Sequence, residues 1–434
     1  MKNEITVKEN TLIGEKCISV RHKSGLEIYY IPKKLTTSFA VFSTRYGSVD
    51  CRFRYKDDEK FTVVPDGIAH YLEHKMFENE DGVDTFELFG KYGAQANAFT
   101  SFDKTSYLFS ATDNFYESLE ILLDFVTHPY FTPETVAKEQ GIIGQEIAMI
   151  ADNPDNALAF GMLGAMYKTH NVRIEIAGSV ESIAKINAPL LYECYEKFYN
   201  LNNMALCISG DQDIDKILEI CDKVLKEAPE YNVESEALPE DSKVYKKTFT
   251  KHMQVPTPMF SIGVKDVDIS PDPNVRMRKR AAMQIITDTL FGTSGEFYNT
   301  HYEDGSLTDG FDLWCEHNRS FSLISIGGRG PDPEKLYDDY RNFIEKTRRE
   351  GIPREGFDRC KKLTYSGFVR TFDSTSGIAY SIMDFALDGA DMLDYADVVG
   401  SLEYEEVNDL FKKLFNEEST SYATVLPIES EENK

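Results

Sequence analysis

The most constraining feature of this 434-residue sequence is that one order of predicted elements occurs twice. In each half a strand is followed by helical segments, a hairpin and a long amphipathic helix. The hairpins turn at Phe102-Asp103-Lys104 and at Asn318-Arg319, about 214 residues apart. A repeat of this length indicates a tandem duplication. The alternative is a pair of unrelated α+β domains.

An acidic, proline-containing stretch over residues 227–243 divides the chain near its middle. It has few apolar residues, so we predict an exposed linker. The first half then covers residues 1–226 and the second half residues 244–434. Each half is predicted to be α+β, with an antiparallel-rich sheet covered by helices.

Charge and hydropathy exclude several classes of partner. The chain has 47 basic and 73 acidic residues, a net charge of −26, which opposes binding to nucleic acid or to anionic membranes. No apolar run is long enough to span a bilayer, and charges are scattered through the N-terminal segment. We therefore expect a cytoplasmic protein. The seven scattered cysteines predict reduced core thiols.

The segment GIAHYLEHKMFE contains the inverted zinc motif HxxEH, formed by His70, Glu73 and His74. On a helix the two histidines are about 40° apart, so both imidazoles can reach one metal ion. Two imidazoles and a carboxylate make a hydrolytic zinc site that leaves one position open for water. The alternative is that both histidines brace a helix without metal.

A third protein ligand is expected from another helix, since an i,i+4 pair supplies only two. The segment EQGIIGQE offers Glu139 and Glu146, which are seven residues apart and thus about 20° apart on a helix. Spacing alone does not choose between them. Either glutamate could equally be a solvated surface carboxylate.

Together these segments resemble the pitrilysin family of metallopeptidases, which includes insulysin and the mitochondrial processing peptidases. The similarity covers most of the chain. Within the family, the chain resembles the bacterial YmfH-like branch. It rests on HYLEH followed by Phe77, on GAQANAFTSFDKTSY, and on Glu139 and Glu146. The resemblance implies two similar halves that close like a clamshell around a peptide.

The resemblance also implies a role for each matched residue. It assigns one zinc ion per chain to His70, His74 and Glu146. Glu73 becomes the general base, and Glu139 supports the ligands. An edge strand would pair with the substrate backbone through Asn97, Ala98 and Thr100.

The implied activity is that of a zinc-dependent metalloendopeptidase. It would cleave short or unfolded peptides held as an added edge strand in a closed chamber. The alternative is a non-catalytic peptide-binding or assembly subunit. A purely structural zinc ion is disfavoured, because closed sites have four protein ligands, often cysteines.

The second half departs from the first and from the family. A shift of 214 residues places the metal-site positions at Gln284, Thr287, Asp288 and Cys360, so the metal site is not repeated. An Arg/Tyr pair that orients the scissile carbonyl in many members is replaced by Tyr302 and Asp309. We therefore expect a homodimer, or a heterodimer with a related chain that supplies the pair.

Overall fold

A computed structural model describes residues 3–236 and 238–428 of the chain. Residues 1–2, residue 237 of the predicted linker, and residues 429–434 of the predicted second half lie outside the described residues. The strands are β1 (Glu4–Asn10), β2 (Glu15–Arg21), β3 (Glu27–Pro32), β4 (Ser38–Thr44), β5 (Arg52–Tyr55), β6 (Thr62–Val63), β7 (Gln95–Thr100), β8 (Thr105–Ala111), β9 (Met204–Gly210), β10 (Val233–Ser235), β11 (Thr248–Met253), β12 (Met259–Asp266), β13 (Asp312–His317), β14 (Ser322–Arg329) and β15 (Thr420–Pro427).

The helices include the two that were predicted by residue, one with the HxxEH motif and one with EQGIIGQE. They are α1 (Ile68–Lys75), α2 (Thr85–Lys91), α3 (Phe115–Thr127), α4 (Pro133–Ala151), α5 (Pro154–Met166), α6 (Val180–Ile183), α7 (Ala188–Phe198), α8 (Ile214–Val224), α9 (Pro273–Phe291), α10 (Glu296–Glu303), α11 (Pro333–Glu350), α12 (Arg354–Thr371), α13 (Thr375–Asp388), α14 (Tyr395–Ser401) and α15 (Tyr404–Leu414). Both predicted hairpins are confirmed, as β7–β8 and β13–β14.

The first compact unit contains the described residues up to Ile147, Glu175–Glu236 and Val369–Asp394. Its main sheet has the order β1-β2-β3-β9-β4-β8-β7, and only the β3–β9 pair is parallel. Helix α13 packs against β4 and β9, and α3 packs against β4 and β8. Every residue of β4 and β9 is buried, and most of them are apolar, as expected for strands covered on both faces.

The second compact unit contains Ala148–Ile174, residues 238–368 and residues 395–428. Its sheet has the order β11-β15-β12-β14-β13. Helix α5 packs against β11, β12 and β15, and α9 packs against β13 and β14. The α+β class, with an antiparallel-rich sheet covered by helices in each unit, is confirmed.

The two compact units do not coincide with the predicted sequence halves, because one helix of each half packs in the other unit. Helix α5 precedes the linker in sequence but belongs to the second unit, whereas α13 follows the linker and belongs to the first. Within the predicted linker, Val233–Ser235 forms strand β10, which pairs with β5 in a small sheet, so this stretch is not wholly an exposed linker. The division at 227–243 as the boundary of a duplication stays a prediction, because packing contacts do not report ancestry.

The cysteines and the hydropathy of the helices agree with what the composition predicts. All seven cysteines are free, and all except the half-buried Cys315 are buried, as expected for reduced core thiols. In the part of the chain that the structure describes, no helix combines the length and the apolar character needed to cross a membrane.

Candidate metal centre

Helix α1 presents the two motif histidines on one side and core residues on the other. The helix begins after Gly67, whose φ is 89°, and a Cβ there would lie 2.4 Å from the Ala177 carbonyl oxygen. Leu72 is buried in the core, whereas the imidazole rings of His70 and His74 lie with their centroids 4.6 Å apart. The i,i+4 spacing thus brings both rings to one place, as the motif predicts.

Helix α4 contributes the carboxylate that completes the cluster. It is anchored by the buried Ile143 and by a hydrogen bond from the Tyr71 hydroxyl to the Val136 carbonyl oxygen. The Glu146 carboxylate oxygens lie 3.6 Å from His70 Nε2 and 3.6 Å from His74 Nε2. These ligand atoms all lie within 4.8 Å of one another.

This donor set fits zinc. The 3.6 Å separations are too long for hydrogen bonds, so the three groups face one space without satisfying one another. Ligand bonds of about 2.0–2.2 Å in a tetrahedral zinc site place neighbouring donor atoms about 3.3 Å apart. In the part of the chain that the structure describes, His70, His74 and Glu146 form the one cluster of metal-ligating residues with this geometry.

Glu139 supports His74 from the side away from the shared space. Its Oε1 lies 3.0 Å from His74 Nδ1, and its side chain is 12% exposed. A Nδ1–H that donates to a carboxylate leaves Nε2 as the metal-binding atom. Spacing alone did not tell which glutamate would join the two histidines. In the structure the Glu146 carboxylate faces Nε2 of both imidazoles, whereas Glu139 contacts only Nδ1 of His74.

Protonation of the two histidines differs in the metal-free chain. Burial, reinforced by His74, lowers the pKa of His70 to about 4, so His70 is neutral at pH 7. Burial also acts to lower the pKa of His74, but the hydrogen bond to Glu139 and nearby carboxylates raise it above its usual value. The same hydrogen bond lowers the pKa of Glu139.

Glu73, the carboxylate of the HxxEH motif, is largely enclosed. The residue is 8% exposed, and its Oε2 accepts a hydrogen bond of 2.8 Å from the Thr100 hydroxyl. Burial raises the pKa of Glu73, and the Thr100 hydrogen bond opposes that rise. Glu73 is thus held in place by a strand of the sheet, and the group of potential ligands is formed by His70, His74 and Glu146.

The predicted substrate-binding residues lie on β7, the edge strand of the main sheet. Among the strands of the described residues, β7 pairs only with β8. The Asn97 side-chain oxygen accepts the Ala98 backbone N–H at 2.9 Å. The Thr100 hydroxyl is directed to Glu73. The roles of Asn97, Ala98 and Thr100 toward a substrate stay predictions.

Sequence reasoning missed a buried cation beside the motif. Lys75, which follows His74 directly, is fully buried and forms an ion pair with Glu78. Its charge helps to lower the pKa of Glu139. The i,i+3 spacing of Lys75 and Glu78 was the available signal, although such spacing is more often found on exposed helix faces.

The second unit holds no equivalent centre at the positions predicted by the repeat. Gln284 Nε2 donates to both Asp288 carboxylate oxygens at 3.1 Å, and Cys360 is fully buried. Tyr302 lies exposed on α10, stacked on Tyr298. The absence of an Arg/Tyr pair from this chain stays a prediction.

Comparison with known proteins shows the family to which this chain belongs. Residues 64–180 match the model of the insulinase family, peptidase family M16, and residues 185–364 match that of the peptidase M16 inactive domain. A Bacillus subtilis protein named uncharacterized zinc protease YmfH is 38% identical over 96% of this chain and 97% of its own length. The chain belongs to peptidase family M16. The family resemblance inferred from the motifs is therefore confirmed.

Solved structures of the M16 family share the fold. An M16-like peptidase from Alicyclobacillus acidocaldarius has a TM-score of 0.91 and 33% identity, over 95% of this chain and 99% of that one. Pitrilysin has a TM-score of 0.75 at 16% identity, and the match covers 98% of this chain and 46% of pitrilysin. The relatives named zinc proteases support a protease role and a zinc cofactor.

Proposed function

We propose that this chain is a zinc metalloendopeptidase that hydrolyses short or unfolded peptides. The observation that carries the proposal is the convergence of His70 Nε2, His74 Nε2 and the Glu146 carboxylate on one space, with the buried Glu73 beside it. Three protein ligands leave a coordination position open, as in catalytic and not structural zinc sites. The zinc protease names of the relatives support the same assignment.

The chemistry follows from the separate tasks of these side chains. Zinc, when bound, polarises the scissile carbonyl and lowers the pKa of water. Glu139 fixes the tautomer of His74 through Nδ1, so that Nε2 is free to bind. Glu73 accepts the proton of the attacking water on its carboxylate and later delivers it to the leaving amine. Thr100 keeps that carboxylate oriented.

The substrate would bind as an extra strand on β7. An extended peptide gains main-chain hydrogen bonds at a free sheet edge, with little dependence on side chains. The Ala98 N–H, now held by the Asn97 side chain, would be released to the peptide backbone. A folded protein cannot add a strand in this way, so the substrates are short or unfolded.

The test compares zinc-loaded wild-type chain with Glu73→Gln on an unbiased peptide pool read by mass spectrometry. The variant should bind zinc normally and lose about 10²- to 10⁴-fold in turnover, because it loses only the base. Glu87→Gln, at an exposed glutamate of α2, is the matched control and should cleave like the wild type. Wild-type turnover in Glu73→Gln would refute the role.

We also propose that a partner subunit completes the active site, namely a related chain that carries an Arg/Tyr pair. The support is the alignment, which places Tyr302 at the Arg position and Asp309 at the Tyr position, because an acid cannot stabilise an oxyanion. Loss of one oxyanion donor costs about 10²- to 10³-fold in rate. Turnover of the chain alone should therefore rise on addition of the related chain, and should not rise when the Arg and Tyr of that chain are replaced.

The second candidate is a non-catalytic peptide-binding or assembly subunit. Retention of the complete ligand set and of Glu73 argues against it, because a binding subunit needs none of them. Addition of the related chain to this chain distinguishes the two candidate functions. Peptide binding without zinc-dependent cleavage, with and without the related chain, would favour the binding subunit.

A further inference from the structure

Strand β1 forms the edge of the first unit's sheet opposite β7. Among the described residues it pairs only with β2, so the main-chain groups on its outer side face no other strand. Two large apolar side chains of β1, Ile5 and Val7, are each 56% exposed. A seven-residue edge strand with exposed apolar side chains is a template for pairing with another strand.

The exposed side chains of β1 continue the core face of the sheet. Ile5 is paired with the buried Val20, and Val7 with Ile18, which packs against the core of the unit. On the opposite face, Lys8 forms ion pairs with Asp391 and Asp394 and holds the strand in place. The strand is thus rigidly held while its apolar side remains open.

We propose that β1 pairs antiparallel with β1 of a second copy of this chain, about a twofold axis through Thr6. In this register Ile5 lies opposite Val7 of the other copy, twice, on the core face. Glu4 lies opposite Lys8, also twice, and the Lys8 ammonium has three donors to share. Thr6 faces Thr6, a favourable cross-strand pair.

The pattern of residues selects this register and this occupant. An axis through Val7 would place the apolar Ile5 opposite the charged Glu9, and Thr6 opposite Lys8. The axis through Thr6 leaves no like charges opposite each other in β1. A strand that is complementary to itself in this way fits a second copy, because a twofold interface uses the same patch twice.

A pair of seven-residue strands is a small interface. It falls at the low end of specific interfaces, so we expect a dimer with a Kd on the order of micromolar. Each copy carries a net charge of −26, so the measurement belongs at physiological ionic strength, where charges are screened beyond about 8 Å. The same repulsion predicts that the dimer tightens as salt is raised.

Sedimentation equilibrium up to about 100 µM chain tests the proposal. The wild-type mass should rise from 49.4 kDa toward twice that value. The double variants Ile5→Lys/Val7→Lys and Ile5→Glu/Val7→Glu should each stay monomeric, while their mixture should form a heterodimer. Val180→Lys, at a 53% exposed position of α6, is the matched control and should dimerise. A monomeric wild type, or undiminished dimers of both double variants, would overturn the proposal.

Disulfide trapping tests the register. Thr6→Cys should form an intermolecular disulfide on mild oxidation, because the two residues meet on the axis. Glu9→Cys should not, since its two copies would lie roughly 20 Å apart along the paired strands. Efficient trapping by Glu9→Cys with none by Thr6→Cys would contradict the axis. Peptidase turnover enters none of these measurements, so their outcome is independent of the proposed function.

Discussion

Replacing Glu139 by glutamine isolates the support that this residue gives to the metal centre. Glu139 Oε1 lies 3.0 Å from His74 Nδ1, and its carboxylate raises the pKa of His74. Glutamine keeps the side-chain shape and an oxygen that can accept the Nδ1–H, but it removes the charge. The variant therefore weakens the orientation and basicity of one ligand without removing a ligand.

The expected loss of zinc affinity follows from the hydrogen bond between Glu139 and the ligand His74. Partners of metal-binding histidines typically contribute 10- to 100-fold to metal affinity, or about 1.4–2.7 kcal/mol. The hydrogen bond remains possible in Glu139→Gln, so we expect a loss near tenfold, and near 100-fold in Glu139→Ala. Glu146→Gln should lose far more, since it removes one of three ligands.

The assay is competition for zinc against a fluorescent chelator at pH 7, with thermal unfolding of each metal-free variant as the check on folding. Glu134→Gln, at an exposed position of the same helix, is the control and should bind as the wild type does. Unchanged affinity in Glu139→Gln would show that the hydrogen bond has no role. A greater loss in Glu139→Gln than in Glu146→Gln would make Glu139 the ligand.

Two further predictions concern Thr100 and Glu240. Thr100→Val should lower kcat about tenfold at unchanged zinc content, because Glu73 loses its hydrogen bond, while Thr100→Ser should retain activity; a rise in KM alone would instead indicate substrate binding. Burial alone would raise the pKa of Glu240, but hydrogen bonds from Lys265 and from backbone N–H groups lower it to about 2. Glu240→Gln should therefore cost about 3 kcal/mol of unfolding free energy at neutral pH, measured by urea denaturation, and the difference from wild type should shrink as pH falls from 4.5 toward 2. A difference that is constant with pH would show that the charge of Glu240 does not contribute.

The sequence was informative where a local pattern determines the structure. The HxxEH spacing and helix periodicity were enough to place His70 and His74 on one face of α1. The choice between Glu139 and Glu146 was different, because 20° around a helix does not tell which carboxylate reaches a neighbouring helix. That choice depends on how α4 packs on α1, through Ile143 and the Tyr71 hydrogen bond.

Features that depend on packing between distant segments were not predictable from local patterns. Helices α5 and α13 have apolar sequences that indicate burial but do not say which sheet they cover. The Thr100 hydrogen bond to Glu73 joins residues 27 positions apart in sequence, and no periodicity relates them. The buried Lys75 likewise looked like an ordinary surface residue of a short helix.

Anomalous diffraction at the zinc absorption edge, from crystals of the zinc-loaded chain, tests the metal assignment most directly. We expect one strong peak per chain, bonded to His70 Nε2, His74 Nε2 and a Glu146 carboxylate oxygen, with Glu139 on His74 Nδ1 and Glu73 free of the metal. A peak bonded to Glu139 instead of Glu146, a fourth protein ligand that closes the site, or the absence of a peak between these residues would contradict it.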